Sequence, residues 1–359
     1  MKLYLVILLL FTGDNMFAQN IDYTNYHKGI ISAENEIFIR KDSIQGLKIF
    51  KKTFSDFSFV YVDDCIEAFE LALYFKQDAY AMAFIKKAIE NGFELKLLSL
   101  LSTGCPCNFY RNAHKVTVYE DFINKNRDYL EKYANDCYPK YVSRIDKHLL
   151  TLLIKRHVKE QLFKNYQQGL SKDMKTQWTE YGDVCNSNMA FIDSLGSSGI
   201  FLGEQNMGIY TDKLMSELKL PIKSIKDYAE HLIKAYGLGP ASYVPVNSEE
   251  DYFGINPEYN IYFHNVKSFD ILTKYKDKAI QQGYLHPREY ASLLDNGRMK
   301  TDTIDMYLQP SLRKIANTKA INKKRQAFIL PTYECDFAKH QFAHQHNLQL
   351  FFGFRNATR

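Results

Sequence analysis

Several polar side chains in the last third of the chain have the residue types of an acid–base or anion-binding site. They are His264, Asp295, Arg298, Tyr307, Gln309 and Arg325. All of them flank apolar helical segments, so they could converge on one cleft. A histidine beside a carboxylate can act as a general base, because the carboxylate orients the ring and supports its charged form. Two arginines could hold an anionic substrate through paired hydrogen bonds. The predicted catalytic set is His264, Asp295, Arg298 and Arg325.

The same residues also have structural explanations. Asp295-Asn296-Gly297 is a natural turn sequence, since Asn-Gly supplies the positive φ that follows a helix. His264 could cap or bridge helices, and Arg325 could pair with a helix C-terminus. From the sequence both interpretations remain open.

The C-terminal tail carries a second possible site, for a metal ion. His340 and His344 are four residues apart and would share one helix face, and Cys335 or Asp336 could add a ligand. No catalytic glutamate of the H-E-x-x-H type accompanies them. The chain also lacks a P-loop and a complete dinucleotide-binding glycine motif. We therefore predict no metal site and no cofactor, with His340, His344 and Cys335 as the weak metal candidates.

Composition is that of an ordinary folded protein. Hydrophobic residues make up 46% and charged residues 24% of the 359 positions, and the net charge is +5. Acidic and basic residues are interspersed, which argues against a nucleic-acid-binding face. The six cysteines permit accessory disulfides, and a bridge from Cys105 or Cys107 to Cys137 is the favoured one.

The first 18 residues have the pattern of a secretory signal peptide. A basic start, Met1-Lys2, precedes the apolar run Leu3–Phe11, and Ala18 offers a small residue for cleavage. The run has about half the ~20 residues that a membrane-spanning helix needs. We therefore expect an exported protein, periplasmic or extracellular, with no stable membrane insertion after cleavage. An uncleaved tether is the alternative.

The elements that must position these residues are mostly helical. Ile44, Leu47, Phe50 and Phe54 recur at helical spacing, Asp63 or Asp64 could cap the next helix, and Asn91-Gly92 would end a further one. Residues 22–101 loosely resemble tetratricopeptide-like helical hairpins. That resemblance implies a stacked-helix surface for binding a partner, and a plain bundle is the alternative.

Further along, helices are predicted over Tyr119–Tyr133, Tyr141–Leu162, Lys172–Leu195 and Phe269–Gln282. Strand-like segments are few: Tyr243–Val246 and Leu348–Phe354. The Gly- and Ser-rich segment Ser194–Gly199 marks a domain boundary. We predict a mostly α fold with a signal peptide at 1–18, a hairpin or bundle domain at 19–198 and a C-terminal helical domain at 199–359.

The C-terminal domain contains an ordered set of motifs: Phe263-His264, Tyr290–Asp295, Tyr307-Leu308-Gln309, and Arg325 ahead of Ile329-Leu330-Pro331. Over residues 215–335 this order is similar to an uncharacterised bacterial family of helical domains of unknown function. That family's hallmarks are Gln-His, Ala-Tyr-Leu-x-Asp-Arg and Tyr-Gly-Thr-Gln. The resemblance implies a helical fold and no particular activity.

Together these patterns favour an exported, non-enzymatic interaction or structural protein. Its partner would be another protein, bound by the N-terminal helical surface, and no nucleic acid is expected. The alternative is a small exported hydrolase or anionic-ligand-binding enzyme that uses His264, Asp295 and the nearby arginines.

Overall fold

The computed structural model describes most of the chain from residue 22 onward. The described ranges are 22–96, 117–166, 174–209, 211–219, 261–262, 265, 268–299, 318–346, 348 and 350–353. Within them the protein is mostly α-helical and has no strand. The segment at 350–353 is irregular, and Tyr243–Val246 lies outside the described ranges. None of the helices in these ranges is long and apolar enough to cross a membrane.

Two consecutive helical hairpins open the fold. The four helices are α1 (Tyr23–Phe38), α2 (Ser43–Asp56), α3 (Val62–Tyr74) and α4 (Asp78–Glu90). Helix α1 packs on α2 and α3 on α4, and α2 also contacts α4. Leu47, Phe50 and Phe54 are buried as their spacing predicts, whereas Ile44 is largely exposed. Gly92 has a φ of +100°, as expected of a glycine that follows a helix end.

The cap predicted for α3 was wrong. The N-cap residue is Tyr61, whose side chain makes no capping hydrogen bond, and Asp63 and Asp64 lie in the first turn of the helix. A carboxylate in a first turn faces the positive end of the helix dipole, but burial opposes the ionisation of Asp63.

Long helices continue the chain. They are α5 (Thr117–Arg144), α6 (Lys147–Tyr166) and α7 (Met174–Ser197), followed by the short α8 (Glu204–Met207) and α9 (Asp212–Glu217). The prediction of a helix end near Tyr133 was wrong, because α5 continues through Pro139. Helices α6 and α7 pack together, and the start of α5 lies against α4 and α3.

Four described helices complete the fold: α10 (Ser268–Gln281), α11 (Pro287–Met299), α12 (Thr318–Ala327) and α13 (Tyr333–His346). Gly283, whose φ is +81°, follows the end of helix α10. Helix α13 packs on α1, the first described helix. It also contacts α3, where the Tyr74 ring lies 5.0 Å from Phe342 and 4.7 Å from His346.

The described interior contains two large apolar clusters. One combines α1–α4 and the start of α5 with residues of α13 and the C-terminal segment, including Leu350 and Phe352. The other combines the end of α5 with α6–α11, including Leu153 and Leu293. Each cluster takes residues from both sides of position 198. The two ends of the described chain therefore share one core.

Candidate functional site

Of the predicted catalytic residues, only Arg325 has a described side chain. His264, Tyr307 and Gln309 lie outside the described residues, and Asp295 and Arg298 belong to α11 without a described side chain. Arg325 is 1% exposed. Its guanidinium pairs with Asp336, and its Nε donates to the Pro331 carbonyl at 2.6 Å. Arg325 thus lies in the interior, paired with a carboxylate of its own chain.

The weak metal candidates have different environments. Cys335 and His340 are buried, and the His340 ring centroid lies 5.7 Å from that of Phe352, whereas His344 is exposed. Among the described residues no group of three or more His, Cys, Asp or Glu side chains is arranged to hold a metal ion.

Arg325 belongs to a buried group of six charged side chains, here called the central ion cluster. Its members are Glu34, Glu67, Arg288, Arg325, Asp336 and Lys339. They come from α1, α3, α11, α12 and α13, and every one is at most 2% exposed. Three carboxylates face three cations, so the cluster is electrically neutral when all six are ionised.

Arg288 joins two carboxylates of the cluster. Its Nη2 lies 2.8 and 2.7 Å from the two carboxylate oxygens of Glu34, and 2.9 Å from Asp336 Oδ1. Its Nη1 donates to Asp336 Oδ2 at 3.2 Å. Burial alone would lower the pKa of Arg288, but Asp336 and Glu34 outweigh it and raise that pKa well above its ordinary value. Burial likewise disfavours ionised Asp336, yet Arg288 and Arg325 hold its pKa below the usual range.

Lys339 joins Glu34, which it shares with Arg288, and the third carboxylate, Glu67, to the C-terminal segment. Its Nζ lies 2.6 Å from Glu34 Oε1, 2.5 Å from Glu67 Oε2 and 2.6 Å from the Phe351 carbonyl. The Phe351 N–H donates to Glu67 Oε2 at 2.8 Å. Burial raises the pKa of Glu67 to about 8; Lys339 opposes that rise, and the nearby Glu34 adds to it.

A second buried group, the histidine cluster, adjoins the first through His286 and Arg288. It consists of Tyr26, His27, Tyr61, Asp64 and His286. The Arg288 N–H donates to His286 Nδ1 at 3.1 Å, so the proton of the neutral ring lies on Nε2, 3.3 Å from Asp64 Oδ2. Tyr26 Oη also donates to this oxygen, at 2.7 Å. Burial opposes ionisation of Asp64, but His286 and Tyr26 outweigh it and lower its pKa.

His27 and Tyr61 complete the histidine cluster without hydrogen bonds. The His27 ring lies 4.8 Å from the His286 ring and 5.6 Å from the Tyr61 ring, centroid to centroid. Neither ring nitrogen of His27 nor the Tyr61 hydroxyl has a hydrogen-bond partner among the described residues. Burial, reinforced by His286, lowers the pKa of His27 well below 6.5. The ring is therefore neutral at physiological pH.

Two further acidic residues, Glu204 and Asp63, lie close together at the start of α3. Glu204 Oε1 accepts a hydrogen bond from the Val62 N–H at 2.9 Å, which satisfies one of the free N–H groups of the first turn. Burial, together with Asp63, raises the pKa of Glu204 well above its ordinary value. Burial and the neighbouring Asp64 raise the pKa of Asp63 from 3.8 to about 7.

These groups have the chemistry of an active site but are engaged with one another. Both ring nitrogens of His286 have partners, so His286 has no nitrogen available to accept a substrate proton. The His27 nitrogens have no hydrogen-bond partner among the described residues, but the side chain is only 2% exposed. In the described structure, the contacts of the two clusters join α1 and α3 to α11, α12 and α13.

Sequence reasoning missed most members of both clusters. Glu67 has Ile66, Ala68 and Phe69 as sequence neighbours in an apolar helical segment. A carboxylate in such a segment could have been predicted to be buried and paired. Lys339 had no comparable signal, because its neighbours in sequence are polar as well as apolar. Of the six cluster residues, only Arg325 and Asp336 were predicted to have roles, Arg325 as a catalytic residue and Asp336 as a possible metal ligand.

The fold and these clusters define a mostly α-helical protein whose described interior contains mutually paired charged side chains. Comparisons with protein-family models, with curated proteins and with solved structures found no match. The tetratricopeptide-like resemblance and the resemblance over residues 215–335 therefore stay predictions.

Proposed function

We propose that this chain is an exported, non-enzymatic interaction protein that binds a partner protein through its N-terminal helical surface. The observation that carries the proposal is the burial of the acid–base groups in the two described clusters. Histidines 27 and 286, the carboxylates beside them and Arg288 and Arg325 are at most 3% exposed. Groups so placed stabilise the scaffold, and the outer faces of the helices are left for recognition.

An aromatic strip on α4 and α5 is the surface best suited to a partner. Tyr129 and Tyr133 stack one helical turn apart, with ring centroids at 6.3 Å. Lys86 Nζ lies 4.2 Å from the Tyr133 ring centroid and donates to Tyr129 Oη at 3.1 Å, and Tyr133 Oη donates to Glu90. Tyr129 is 50% exposed. Tyrosines held in place by neighbours are efficient contact residues, because little side-chain entropy is lost when a partner binds.

The hydrolase alternative makes a different demand. It requires His264 and Asp295 to lie together with Arg298 or Arg325 in a solvent-filled cleft. The pairing of Arg325 with Asp336 and its 1% exposure favour a scaffold role for that arginine. Export is proposed from the pattern of residues 1–18 alone.

Photo-cross-linking in the exported fraction tests the interaction proposal. A photoreactive phenylalanine analogue replaces Tyr129 in the full chain, and a matched chain carries it at Trp178, an exposed aromatic position on α7. We expect a discrete protein adduct from position 129, with weaker or no labelling from position 178. Adding Lys86→Ala should reduce the yield from position 129.

The opposite outcome is equally specific. Equal labelling from positions 129 and 178 would remove the aromatic strip as the binding surface. Turnover of an ester or phosphoester panel that is lost in both His264→Ala and Asp295→Asn would establish the hydrolase alternative instead.

A further inference from the structure

A surface pocket of about 760 Å³ lies between α1 and α12. Its floor is apolar and includes Ile31 and Leu330, and Asn35 and Gln326 add amide groups. The volume falls in the range of small-molecule sites, roughly 300–1,000 Å³. This pocket is separate from the aromatic strip on α4 and α5.

The charge of the pocket wall has one sign. Lys319 and Lys323 line it, and among the described lining residues there is no carboxylate. Neither lysine forms an ion pair within the described part of the chain. The carboxylate of Glu334, close by, accepts a hydrogen bond from the Asn322 amide at 2.7 Å. Among the described residues, the pocket therefore presents two ammonium groups that have no carboxylate partner, above an apolar floor.

Helix geometry directs both ammonium groups to the same place. Lys319 and Lys323 are four residues apart on α12, so they share one face of the helix. Like charges at this spacing repel each other, which costs a few tenths of a kcal/mol in an isolated helix. An anion bound between them would relieve that repulsion.

Inward-facing Arg325 and pocket-lining Asn322 hold the pocket wall in position. Arg325 points inward, pairs with Asp336 and donates to the Pro331 carbonyl at 2.6 Å. The Asn322 Oδ1 accepts from the Tyr333 N–H at 2.7 Å, which ties α12 to the start of α13. A wall held by buried bonds is preorganised, so little ordering cost remains for ligand binding.

We infer that the pocket between α1 and α12 binds a small amphipathic anion, with its carboxylate or phosphate head on Lys319 and Lys323 and its apolar part on Ile31 and Leu330. This goes beyond the proposed protein interaction and does not depend on it. The lysine pair accounts for the charge of the ligand and the floor for its apolar part. A short-chain carboxylate and a short-chain alkyl phosphate share this chemistry.

Titration calorimetry on the full chain tests the inference with octanoate and octyl phosphate as probes. We expect saturable binding of at least one probe, and the tighter one identifies the head group. Octanol and inorganic phosphate should each bind about tenfold more weakly or worse, because each lacks one half of the recognition. Lys319→Gln/Lys323→Gln should weaken probe binding about tenfold or more.

A matched variant distinguishes binding at this pocket from a general effect of the protein's net charge. Lys48→Gln/Lys51→Gln removes two exposed charges from α2 and should leave affinity within about twofold. Ala320→Trp, which fills the pocket from α12, should abolish probe binding without lowering the melting temperature. In reductively 13C-methylated protein, the signals of Lys319 and Lys323 should move with the probe.

Three results would overturn the inference: equal affinity for octanol and octanoate, equal loss in the two double variants, or unmoved methyl-lysine signals at saturation. Binding of an acidic peptide but of neither octyl probe would also overturn it, since that points to a macromolecular ligand. None of these results bears on cross-linking from position 129, so the two proposals fail separately.

Discussion

Lys339 Nζ lies 2.6 Å from Glu34 Oε1, although 305 residues separate the two in sequence. The contact is completely buried and joins the first described helix to the last. Removing two charges from water costs several kcal/mol, and mutual attraction offsets this only when the remaining bonds are also satisfied. Here Arg288, Glu67 and the Phe351 carbonyl supply those bonds. The pair therefore joins the first and last described helices in one arrangement, and contributes less to net stability than its short distance suggests.

Breaking this cluster from one side should be costly. Lys339→Met leaves Glu34 and Glu67 buried with one cation fewer, and we expect a loss of about 3–5 kcal/mol in the free energy of unfolding. The control is Arg40→Met, which removes the exposed partner of Glu36 at 2.7 Å and should cost at most about 0.5 kcal/mol. Urea denaturation followed by circular dichroism measures both. Similar losses in the two variants would contradict the central role of Lys339.

The two buried histidines should respond oppositely to the same substitution. His27→Phe removes ring nitrogens that have no partner among the described residues, so stability should stay within about 1 kcal/mol of wild type or rise. His286→Phe removes the hydrogen bonds with Asp64 and the Arg288 N–H, and should cost about 2–3 kcal/mol.

A pH series adds a second signature for His27. The native state keeps the ring neutral, because its pKa lies well below 6.5, while the unfolded chain takes up a proton below about 6.5. Native stability is therefore lost as the pH falls through that region. His27→Phe should flatten this part of the stability profile. An unchanged acid limb would mean that His27 is not held neutral.

Asp63 should destabilise the native state at neutral and higher pH. Its pKa is raised from 3.8 to about 7, so the native state binds more protons than the unfolded chain between these values. Stability from this group falls as the pH rises through that window, and the loss is complete above about pH 7. Asp63→Asn should match wild type near pH 4 and exceed it at pH 8.

The control for Asp63 is Asp78→Asn. Asp78 lies in the first turn of the next helix and is exposed, so it shares the helix-end position without the burial. Thermal melts at pH 4, 6 and 8 should show a growing advantage for Asp63→Asn only. If the gain in melting temperature increased with pH equally in both variants, the cause would be the helix-end position and not the burial of Asp63.

Helix α2 should tolerate no side chain at Gly46. A Cβ there would lie 2.3 Å from Ile37 Cγ1 and 2.9 Å from the Ala33 carbonyl oxygen, so α1 and α2 would have to separate. We expect Gly46→Ala to cost about 1–3 kcal/mol. Gly182 in α7 is the matched helical control, since a Cβ there meets nothing within 4 Å. Gly182→Ala should raise stability by about 0.5–1 kcal/mol in the same denaturation assay. A loss in both variants would contradict the close packing of α1 on α2.

Much of the helical organisation could be predicted from local pattern. The spacing of Leu47, Phe50 and Phe54 identified a buried helix face, and Gly283 follows the helix end where Phe269–Gln282 was expected to stop. Prediction failed at the end of α5, which was expected near Tyr133; the helix continues to Arg144, through Pro139, a residue type that usually ends a helix. Prediction also failed at Asp64. Its position suggested a helix cap, but its side chain forms hydrogen bonds with Tyr26 and His286.

By itself the sequence determined the helical class, several helix bounds and the inward faces, because these depend on residues three or four positions apart. Only the tertiary structure decided that Glu34 meets Lys339 and that Asp64 meets His286, across 305 and 222 residues. Periodicity shows that a carboxylate lies on a buried face, but it carries no information about which distant cation will neutralise it. That choice follows from packing whole helices together, since a buried charge is tolerated only where its counter-charge arrives.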